Sequence, residues 1–398
     1  MYDLIIKHGT LATTNEIADV AVKDGLVASI KPGIETEAQD VIDAKGMIVS
    51  TGFVDAHIHA DKALIADRIG ERARVPVYTD HIMGARKVKE SFTIDDVRER
   101  ATRVFRAAVA YGTTTMRTQV ELDPIVGTVG AEGVLAAMKD CKDIIDVQTV
   151  SFPQEGWEAN DLELDCRPYV RKGLELGLDY VGGNANPSWP SDMRVHIDDA
   201  FKLADEFGVG VDIHLDNIDN GVGYHLPHVV RRTKEYGLEG RVTVSHLVGL
   251  DNVPEQLTSR AIEWARDVNI HVCSLPARIR LTPIKKLMDG GVNLVIGTDN
   301  MQDMFTGLGR ADMLEMALLL ARVTKMTRPK MLEDIFATIT TNGIKALELE
   351  AELGLEKGKR ADLVVLDAPT VGDAIRDTAS CRYVIKRGQI VARDGKLL

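Results

Sequence analysis

A chain of 398 residues, of which 45% are hydrophobic and 27% charged, can bury a large core and is too long for one ordinary domain unless that domain is a barrel. The formal net charge of -12 argues against a nucleic-acid or anionic-membrane partner, because such partners select concentrated Lys and Arg. The four cysteines have no Cys-x-x-Cys spacing, which favours buried free thiols over a disulfide framework or a zinc ribbon.

The first residues, Tyr2 to Ile6, already read as a strand, and neither a basic leader nor a long apolar segment precedes them. No apolar run in the sequence reaches the length of a membrane span. Together with the unpaired cysteines, these features predict a cytoplasmic protein.

Both ends of the chain read as short strands that are divided by glycine turns. Because both ends show the same alternation of short strands and glycine turns and a long insert separates them, we predict one small β-sandwich domain built from residues 1–50 and 355–398. Its candidate strands are Leu4–Lys7, Val20–Val22, Val27–Ile30, Val41–Ala44, Ala361–Leu366, Tyr383–Lys386 and Gln389–Ala392.

Between these ends, apolar strand-like runs alternate with amphipathic helical patterns. Eight such units are typical of a (β/α)8 barrel, whose parallel strands are covered by helices and read as continuous apolar runs. We therefore predict a TIM-barrel domain over residues 51–354. Its candidate strands are Val54–His57, Thr114–Val120, Ile145–Phe152, Asp179–Gly182, Val209–His214, Val242–His246, Ile270–Cys273 and Asn293–Ile296, and its helical segments are Ile94–Tyr111, Ala131–Met138, Asp198–Phe207, Pro254–Val268 and Pro283–Met288.

Two histidines follow one another at the end of the first barrel strand, with a single apolar residue between them. In an extended strand alternate side chains share a face, so His57 and His59 can point at one ion while Ile58 packs the other way. Neutral imidazole is a good ligand for Zn and Fe. An isolated His-x-His also occurs as a pair of structural histidines, so this pair alone does not establish a metal site.

Three further polar residues end later strands: His214 the fifth, His246 the sixth and Asp299 the eighth. Taken singly, a strand-end His is often a hydrogen-bonded structural residue, and an Asp after a strand often caps the next helix. Enzymes with this fold place their active sites at the C-terminal ends of the strands. The joint placement of these residues with the first-strand histidines therefore predicts an active site.

The sequence resembles the amidohydrolase superfamily over essentially its whole length. Within that superfamily it is similar to the cytosine deaminase-like branch, which also includes N-isopropylammelide isopropylaminohydrolase. The motifs that carry the resemblance are Val54-Asp55-Ala56-His57-Ile58-His59, Phe152-Pro153-Gln154-Glu155-Gly156, Asp212-Ile213-His214, Val244-Ser245-His246, Thr298-Asp299-Asn300 and Gly358-Lys359-Arg360-Ala361-Asp362-Leu363-Val364-Val365-Leu366.

The resemblance implies a metal site and a division of roles. Two-metal members of the superfamily carry a carboxylated lysine or a glutamate near the end of the fourth strand, and residues 178–184 contain neither. We therefore expect one divalent ion, Zn or Fe. The implied metal ligands are His57, His59, His214 and Asp299, with His246 beside the metal-bound water and Gln154 in contact with a carbonyl or ring nitrogen of the substrate.

Such an ion lowers the pKa of bound water toward about 7, which predicts hydroxide as the nucleophile. We expect it to attack a ring carbon that bears an amino or alkylamino group, in a substrate of the aminopyrimidine or aminotriazine type. Asp299 would relay the proton, and His246 would stabilise the charge on oxygen. The expected enzyme is a hydrolase of carbon–nitrogen bonds other than peptide bonds.

Three positions depart from the deaminase pattern. Asn217 replaces a glutamate that shuttles protons, Asn300 replaces an aspartate that faces the exocyclic amine, and Gln119 replaces a histidine. Because an amide cannot titrate, Asp216 and Glu155 are alternative proton carriers, and strand periodicity puts Asp216 on the face of His214. In the alternative interpretation, both carboxylates are solvated or cap helices, and His246 with Asp299 transfers every proton.

Asp61 and Lys62 follow closely after the first-strand histidines. We expect an ion pair of these two residues that supports the metal ligands, with no direct part in catalysis.

Trp157 and Trp189 follow the third and fourth strands, and they either wall a pocket for an aromatic ring or cover the barrel rim. Asn217 and Asn300 are further candidate contacts of the substrate. We expect a small heterocyclic substrate and a homo-oligomeric assembly, with no nucleic acid and no membrane. Two other functions stay open at this point. One is a hydrolase that opens cyclic amides, and the other is a catalytically silent barrel that binds a ligand.

Overall fold

The alternation of strands and helices extends along the chain in the order that the sequence predicts. The computed structural model describes residues 1–69, 78–157, 164–185, 192–215, 222–276 and 280–398. In these ranges the strands are β1 (Tyr2–Leu11), β2 (Ile17–Lys23), β3 (Leu26–Lys31), β4 (Ala38–Asp43), β5 (Ile48–Thr51), β6 (Phe53–Ile58), β7 (Thr113–Glu121), β8 (Asp146–Phe152), β9 (Tyr180–Ala185), β10 (Gly210–Leu215), β11 (Val242–His246), β12 (His271–Ser274), β13 (Leu294–Ile296), β14 (Leu363–Leu366), β15 (Cys381–Lys386), β16 (Gln389–Arg393) and β17 (Lys396–Leu397). The α-helices are α1 (Tyr78–Lys89), α2 (Ile94–Ala110), α3 (Val129–Cys141), α4 (Arg167–Glu175), α5 (Met193–Phe207), α6 (Val222–Tyr236), α7 (Glu255–Asp267), α8 (Ile284–Asp289), α9 (Met313–Thr324), α10 (Pro329–Thr338), α11 (Thr341–Ala346) and α12 (Val371–Arg376).

Strands from both ends of the chain form one sheet. Its order is β17-β16-β15-β14-β5-β1-β2-β3, and β4 pairs with β1 outside this path. The two ends meet where β5 and β14 pair antiparallel, with Ile48 opposite Leu366. The prediction that both ends of the chain contribute to one β unit is therefore confirmed. The strands β5 and β17 were not among the predicted strands.

The strand β14 serves two cores because alternate side chains of a strand point to opposite faces. Leu363 and Val365 pack with the apolar residues of the terminal unit. Val364 and Leu366 belong to the core that the barrel forms with its helices. The boundary at residue 355 therefore stays a prediction, because side chains on both sides of it share packing.

The barrel consists of parallel strands in the order β6 to β13, and each pairs with its neighbours in sequence. All eight predicted strands are confirmed, with ends within three residues of those expected, and so is the predicted TIM-barrel fold. The predicted helical segments correspond to α2, α3, α5, α7 and α8. The helix α1 was not predicted.

The first and last barrel strands meet through the backbone. The amide of Asp299 donates to the carbonyl of His57 at 2.8 Å, and the amide of His59 donates to the carbonyl of Asp299 at 3.1 Å. Gly297 makes this approach possible, since a Cβ there would lie 2.4 Å from the His57 carbonyl oxygen. The closure thus holds three candidate site residues together.

All four cysteines lie in the described part of the chain, where they are buried and free, as predicted. Among the described helices, none combines the length and the apolar character that a membrane span requires. The stripe of Met313, Met316, Ala317 and Leu320 on α9 is buried in the core.

A buried lysine ties the terminal sheet to the barrel. The ammonium of Lys386 on β15 donates to the carboxylate of Asp362 at 2.7 Å, to Asp146 at 2.8 Å and to the carbonyl of Thr114 on β7 at 2.8 Å. The side chain of Lys386 is fully buried. A buried cation with three acceptors holds two sheets in a fixed relation, whereas its removal leaves charges without compensation.

We predict that Lys386→Met lowers stability by about 3 kcal/mol, because the buried carboxylate of Asp362 then loses one of its two cationic partners and keeps Arg360 and the backbone amide of Arg387. Thermal denaturation followed by circular dichroism measures the change. The control is Arg382→Met on the same strand, whose ion pair with Asp394 is exposed and should matter little. Equal midpoints for the two variants would contradict this account of Lys386.

Candidate metal centre

His57 and His59 lie at the mouth of the barrel, where β6 ends. Both side chains are buried, and their ring centroids are 5.3 Å apart. One ring nitrogen each from His57, His59 and His214 lies within 4.8 Å of the other two. Three imidazoles from two strands can therefore reach a single ion.

Asp299 brings a carboxylate to the same point. Its Oδ1 lies 3.7 Å from Nε2 of His57 and 3.5 Å from Nε2 of His59. Two ligands that are each about 2.1 Å from one tetrahedral ion are roughly 3.4 Å apart, so this spacing fits a shared metal. Asp299 has a φ of 60°, a conformation that non-glycine residues rarely adopt and that functional sites often retain.

His214 and His246 complete the group from β10 and β11. Their ring centroids are 4.7 Å apart, and the ring of His246 is 5.7 Å from that of His57. Phe152, at the end of β8, stacks on His214 with a centroid distance of 4.2 Å. His246 has a φ of 75°, which is again rare for a residue with a side chain. The structure thus brings the predicted strand ends together at one mouth.

The charge state of His59 suits a metal ligand. Burial lowers its pKa well below the ordinary value, and the positive charge of Lys62 acts in the same direction. His59 is therefore neutral at pH 7, the form in which imidazole binds metals. Its Nδ1 has no hydrogen-bond partner within the described residues. Buried imidazoles beside a carboxylate are the donor set that Zn and Fe accept.

A chain of hydrogen bonds orients His57 from behind. The hydroxyl of Ser245 donates to Oδ1 of Asp212 at 3.2 Å, and it lies 3.0 Å from Nδ1 of His57. Because the hydroxyl proton points to the carboxylate, the imidazole must be the donor in the second contact. This places the proton of His57 on Nδ1 and turns the lone pair of Nε2 toward Asp299. Arg117 in turn donates to Asp212 at 3.1 Å.

Asp55 joins the two strands that carry ligands. Its carboxylate accepts from the amide and hydroxyl of Thr298 at 3.1 and 2.6 Å, and from the amide of His57 at 3.2 Å. Complete burial raises the pKa of Asp55 to about 7. The sequence reasoning assigned roles to neither Ser245, Asp212 nor Asp55. Period-two alternation offered a signal, since Asp212 shares the face of His214 and Asp55 that of His57.

The comparisons with known proteins agree with this geometry. The model of the amidohydrolase family matches residues 63–392. This chain belongs to the amidohydrolase family. It is 32% identical over 397 residues to N-isopropylammelide isopropyl amidohydrolase of Pseudomonas sp. (strain ADP), which covers 99% of this chain and 98% of that protein. It is 26% identical to pterin deaminase of Rhizobium rhizogenes, with coverage of 94% and 88%.

Solved structures show the same architecture. N-isopropylammelide isopropylaminohydrolase from Burkholderia multivorans superposes with a TM-score of 0.90 at 26% identity, over 100% of both chains. The 5-methylcytosine deaminase from Klebsiella pneumoniae has a TM-score of 0.89 at 24% identity, over 98% of this chain and 97% of that one, and supports the fold alone. This amidohydrolase is thus a hydrolase of carbon–nitrogen bonds, and its family is metal-dependent.

The amidohydrolase holds Gln154 beside the metal centre through a buried lysine. Nζ of Lys62 donates to Oε1 of Gln154 at 2.6 Å and to Oε2 of Glu121 at 3.2 Å. An ion pair of Lys62 was expected with the adjacent Asp61. This expectation was wrong, since Asp61 instead accepts the backbone amide of Glu121 at 2.9 Å and Lys62 reaches across to the Glu121 side chain.

A second group of carboxylates lies next to Lys62 and is neutralised by protein cations. Glu121, Asp123 and Glu155 lie close enough to share an ion. Lys89 from α1 occupies the centre, with contacts of 2.6, 2.7 and 2.8 Å to the three. Arg86 adds a contact of 3.1 Å to Glu155. Because these ion pairs engage Glu155, they favour a structural role for it over the proton carrier considered from the sequence.

Two of the remaining predicted site residues, Asn300 and Trp157, lie in the described part of the chain. The amide of Asn300 donates to Asp303 at 2.6 Å. Trp157 is fully buried, stacks on His196 and donates to Asp199 at 3.2 Å, which favours the interpretation that it covers the barrel rim. Trp189, Asp216 and Asn217 lie outside the described residues.

We predict that Ser245→Ala lowers the metal affinity of this amidohydrolase by about 10–100-fold, because His57 then loses the acceptor that fixes its proton on Nδ1. Competition with a chelator of known affinity measures the effect. The control is Ser151→Ala, which removes a buried hydroxyl from β8 that donates to Val170 and touches no candidate ligand. An unchanged affinity in the Ser245 variant would refute the orienting role.

Proposed function

We propose that this amidohydrolase removes an amino or alkylamino group from a nitrogen heterocycle of the aminopyrimidine or aminotriazine type, with one Zn or Fe ion held by His57, His59, His214 and Asp299. The convergence of these buried donors on one point is the observation that carries the proposal. The strand β9 contains neither lysine nor glutamate, which favours one ion over two. The relatives that are named for N-isopropylammelide and for pterin support the substrate class.

When bound by these residues, such an ion would lower the pKa of a coordinated water to about 7 and would so supply hydroxide at neutral pH. Asp299 is placed to accept the proton of the attacking water and to return it to the departing amine. His246 stabilises the negative charge that develops on oxygen at the ring carbon. Gln154 orients the ring, since Lys62 and the backbone contact from Asn184 hold it in place.

The catalytically silent barrel is the weaker alternative, because a mere binder has no need of a complete ligand set. Ring opening of a cyclic amide uses the same nucleophile but releases no amine. The two hydrolytic reactions are therefore distinguished by which substrates react and by whether an amine is released.

We predict release of ammonia or an alkylamine when the purified protein, loaded with Zn or Fe, is incubated with a panel of aminopyrimidines and aminotriazines. Cyclic amides are the matched negative panel, with ring opening followed by absorbance. Metal analysis of protein purified without added metal should give about one ion per chain. Activity confined to the cyclic amides would overturn the proposed substrate class, and two ions per chain would overturn the proposed metal count.

We predict that His246→Ala and Asp299→Ala each lower turnover by about 10²–10⁴-fold, because each removes a group that acts in the transition state. Asn217→Ala should cost far less, since an amide carries no proton. If Asp216 is the proton carrier, Asp216→Asn should show a loss of the larger size with metal still bound. A result in which Asn217→Ala is the most damaging and Asp216→Asn is silent would contradict this division of roles.

A further inference from the structure

A buried arginine on β7 lies inside the barrel and uses its whole guanidinium group for hydrogen bonds. The side chain of Arg117 is 1% exposed, and the carboxylate of its partner Asp212 is fully buried. None of the candidate metal ligands is among the hydrogen-bond partners of Arg117 in the described part of the chain. Nε and Nη2 donate to Oε1 of Gln148 at 3.2 and 2.9 Å, Nη1 donates to Asp212 and to Oγ1 of Thr243 at 3.1 Å each, and Nη2 donates to the carbonyl of Ala346 at 3.0 Å.

These contacts leave the Arg117 guanidinium one orientation. The centroid of the Tyr180 ring lies 4.0 Å from its central carbon. Gln148 is held in turn, because its amide nitrogen donates to the carbonyl of Leu347 at 2.8 Å. Turning the guanidinium would leave buried donors without acceptors. Since an arginine has no acceptor atom, Arg117 presents a fixed donor to the side chain at position 212.

This donor sets the direction of the hydrogen bonds that reach His57. Oδ2 of Asp212 accepts from Arg117, and Oδ1 accepts from the hydroxyl of Ser245 at 3.2 Å. The hydroxyl oxygen is then the acceptor for Nδ1 of His57 at 3.0 Å, which leaves Nε2 without a proton. The amide nitrogen of Gln119 lies 3.5 Å from the same Nδ1, a distance at which a hydrogen bond is weak.

We propose that Arg117 is a positioning residue of the metal centre: it fixes which atom of residue 212 faces Ser245, and through Ser245 it keeps Nε2 of His57 available to the ion. The inference rests on the proposed function, in which His57 binds the ion. It adds a determinant of metal affinity that contacts neither the ion nor the substrate.

The variant Asp212→Asn exposes this control, because an amide has an acceptor at one end and a donor at the other. With Arg117 in place the amide oxygen must face the guanidinium, so the amide nitrogen faces Ser245. The hydroxyl of Ser245 then accepts from the amide and donates to Nδ1 of His57. The proton of His57 moves to Nε2, the atom that should bind the ion. We expect Zn²⁺ affinity to fall by about 100-fold, at the upper end of the effects of residues that orient ligands.

Removing Arg117 should have opposite effects in the two backgrounds. In the wild-type background, Arg117→Met takes the fixed donor from Asp212, and Zn²⁺ affinity should fall by about 10-fold. In the Asp212→Asn background, the same change frees the amide to turn its oxygen to Ser245. The double variant should therefore bind Zn²⁺ about 10-fold more tightly than Asp212→Asn alone. A merely structural role of Arg117 would weaken binding in both backgrounds.

The test measures Zn²⁺ affinity by competition with a chelator in the wild type, in both single variants and in the double variant. The double variant removes one charge of each sign, so the buried charges stay balanced. The control is Lys386→Met, which removes another buried cation but leaves the contacts of His57 intact. The control should keep the Zn²⁺ affinity of the wild type. Circular dichroism verifies that each variant is folded.

Three results would overturn the inference: a double variant that binds Zn²⁺ more weakly than Asp212→Asn, an Asp212→Asn variant with the affinity of the wild type, or a Lys386 control that loses as much as Arg117→Met. Should Arg117→Met and the double variant fail to fold, Asp212→Asn alone decides. An amide that Arg117 does not hold would turn its oxygen to Ser245 and keep the wild-type affinity.

Failure of the proposed function gives a different pattern. A wild-type protein that binds Zn²⁺ but releases no amine contradicts the proposed reaction, and the affinities still measure the role of Arg117. A wild-type protein that binds no Zn²⁺ contradicts the proposed metal site and the inference with it. Amine release by a protein whose double variant shows added losses overturns the role of Arg117 alone.

Discussion

The barrel closes and the candidate metal ligands converge at one place, where the backbone of His57 meets the turn after β13. Position 297 carries no side chain, and a Cβ there would overlap the carbonyl and the amide of His57. The two strands can therefore exchange hydrogen bonds, and Asp299 arrives within reach of both histidines. The backbone contact between these two strands thus determines where the side chains of the candidate ligands lie.

Support for the ligands lies deeper in the barrel. The hydroxyl of Ser245 and the carboxylate of Asp212 determine which nitrogen of His57 carries the proton, and Asp55 fastens Thr298 to the start of the same strand. These contacts come from residues two positions before a ligand or one position beside it. A parallel barrel makes this arrangement possible, because every strand presents alternate residues to its interior.

Much of the fold could be predicted from the sequence because apolar strand runs, such as that of β13, can be recognised without knowledge of their partners. The candidate ligands could be located because each lies at or just beyond the end of a barrel strand. The helix α1 could not, since Tyr78–Lys89 carries many polar residues and no regular apolar stripe. The partner of Lys62 could not be predicted either, because the choice between Asp61 and Glu121 depends on distances between strands that lie far apart in the sequence.

The pairing of β5 with β14 also bears on how the chain is synthesised. Thr51 leaves the ribosome roughly three hundred residues before Leu363, its neighbour in the sheet. At about 5–20 residues per second, the edge of β5 waits for on the order of tens of seconds before that partner exists. The whole barrel can form during this interval. Until β14 emerges, the edge of β5 that it will cover stays open to pairing with other strands.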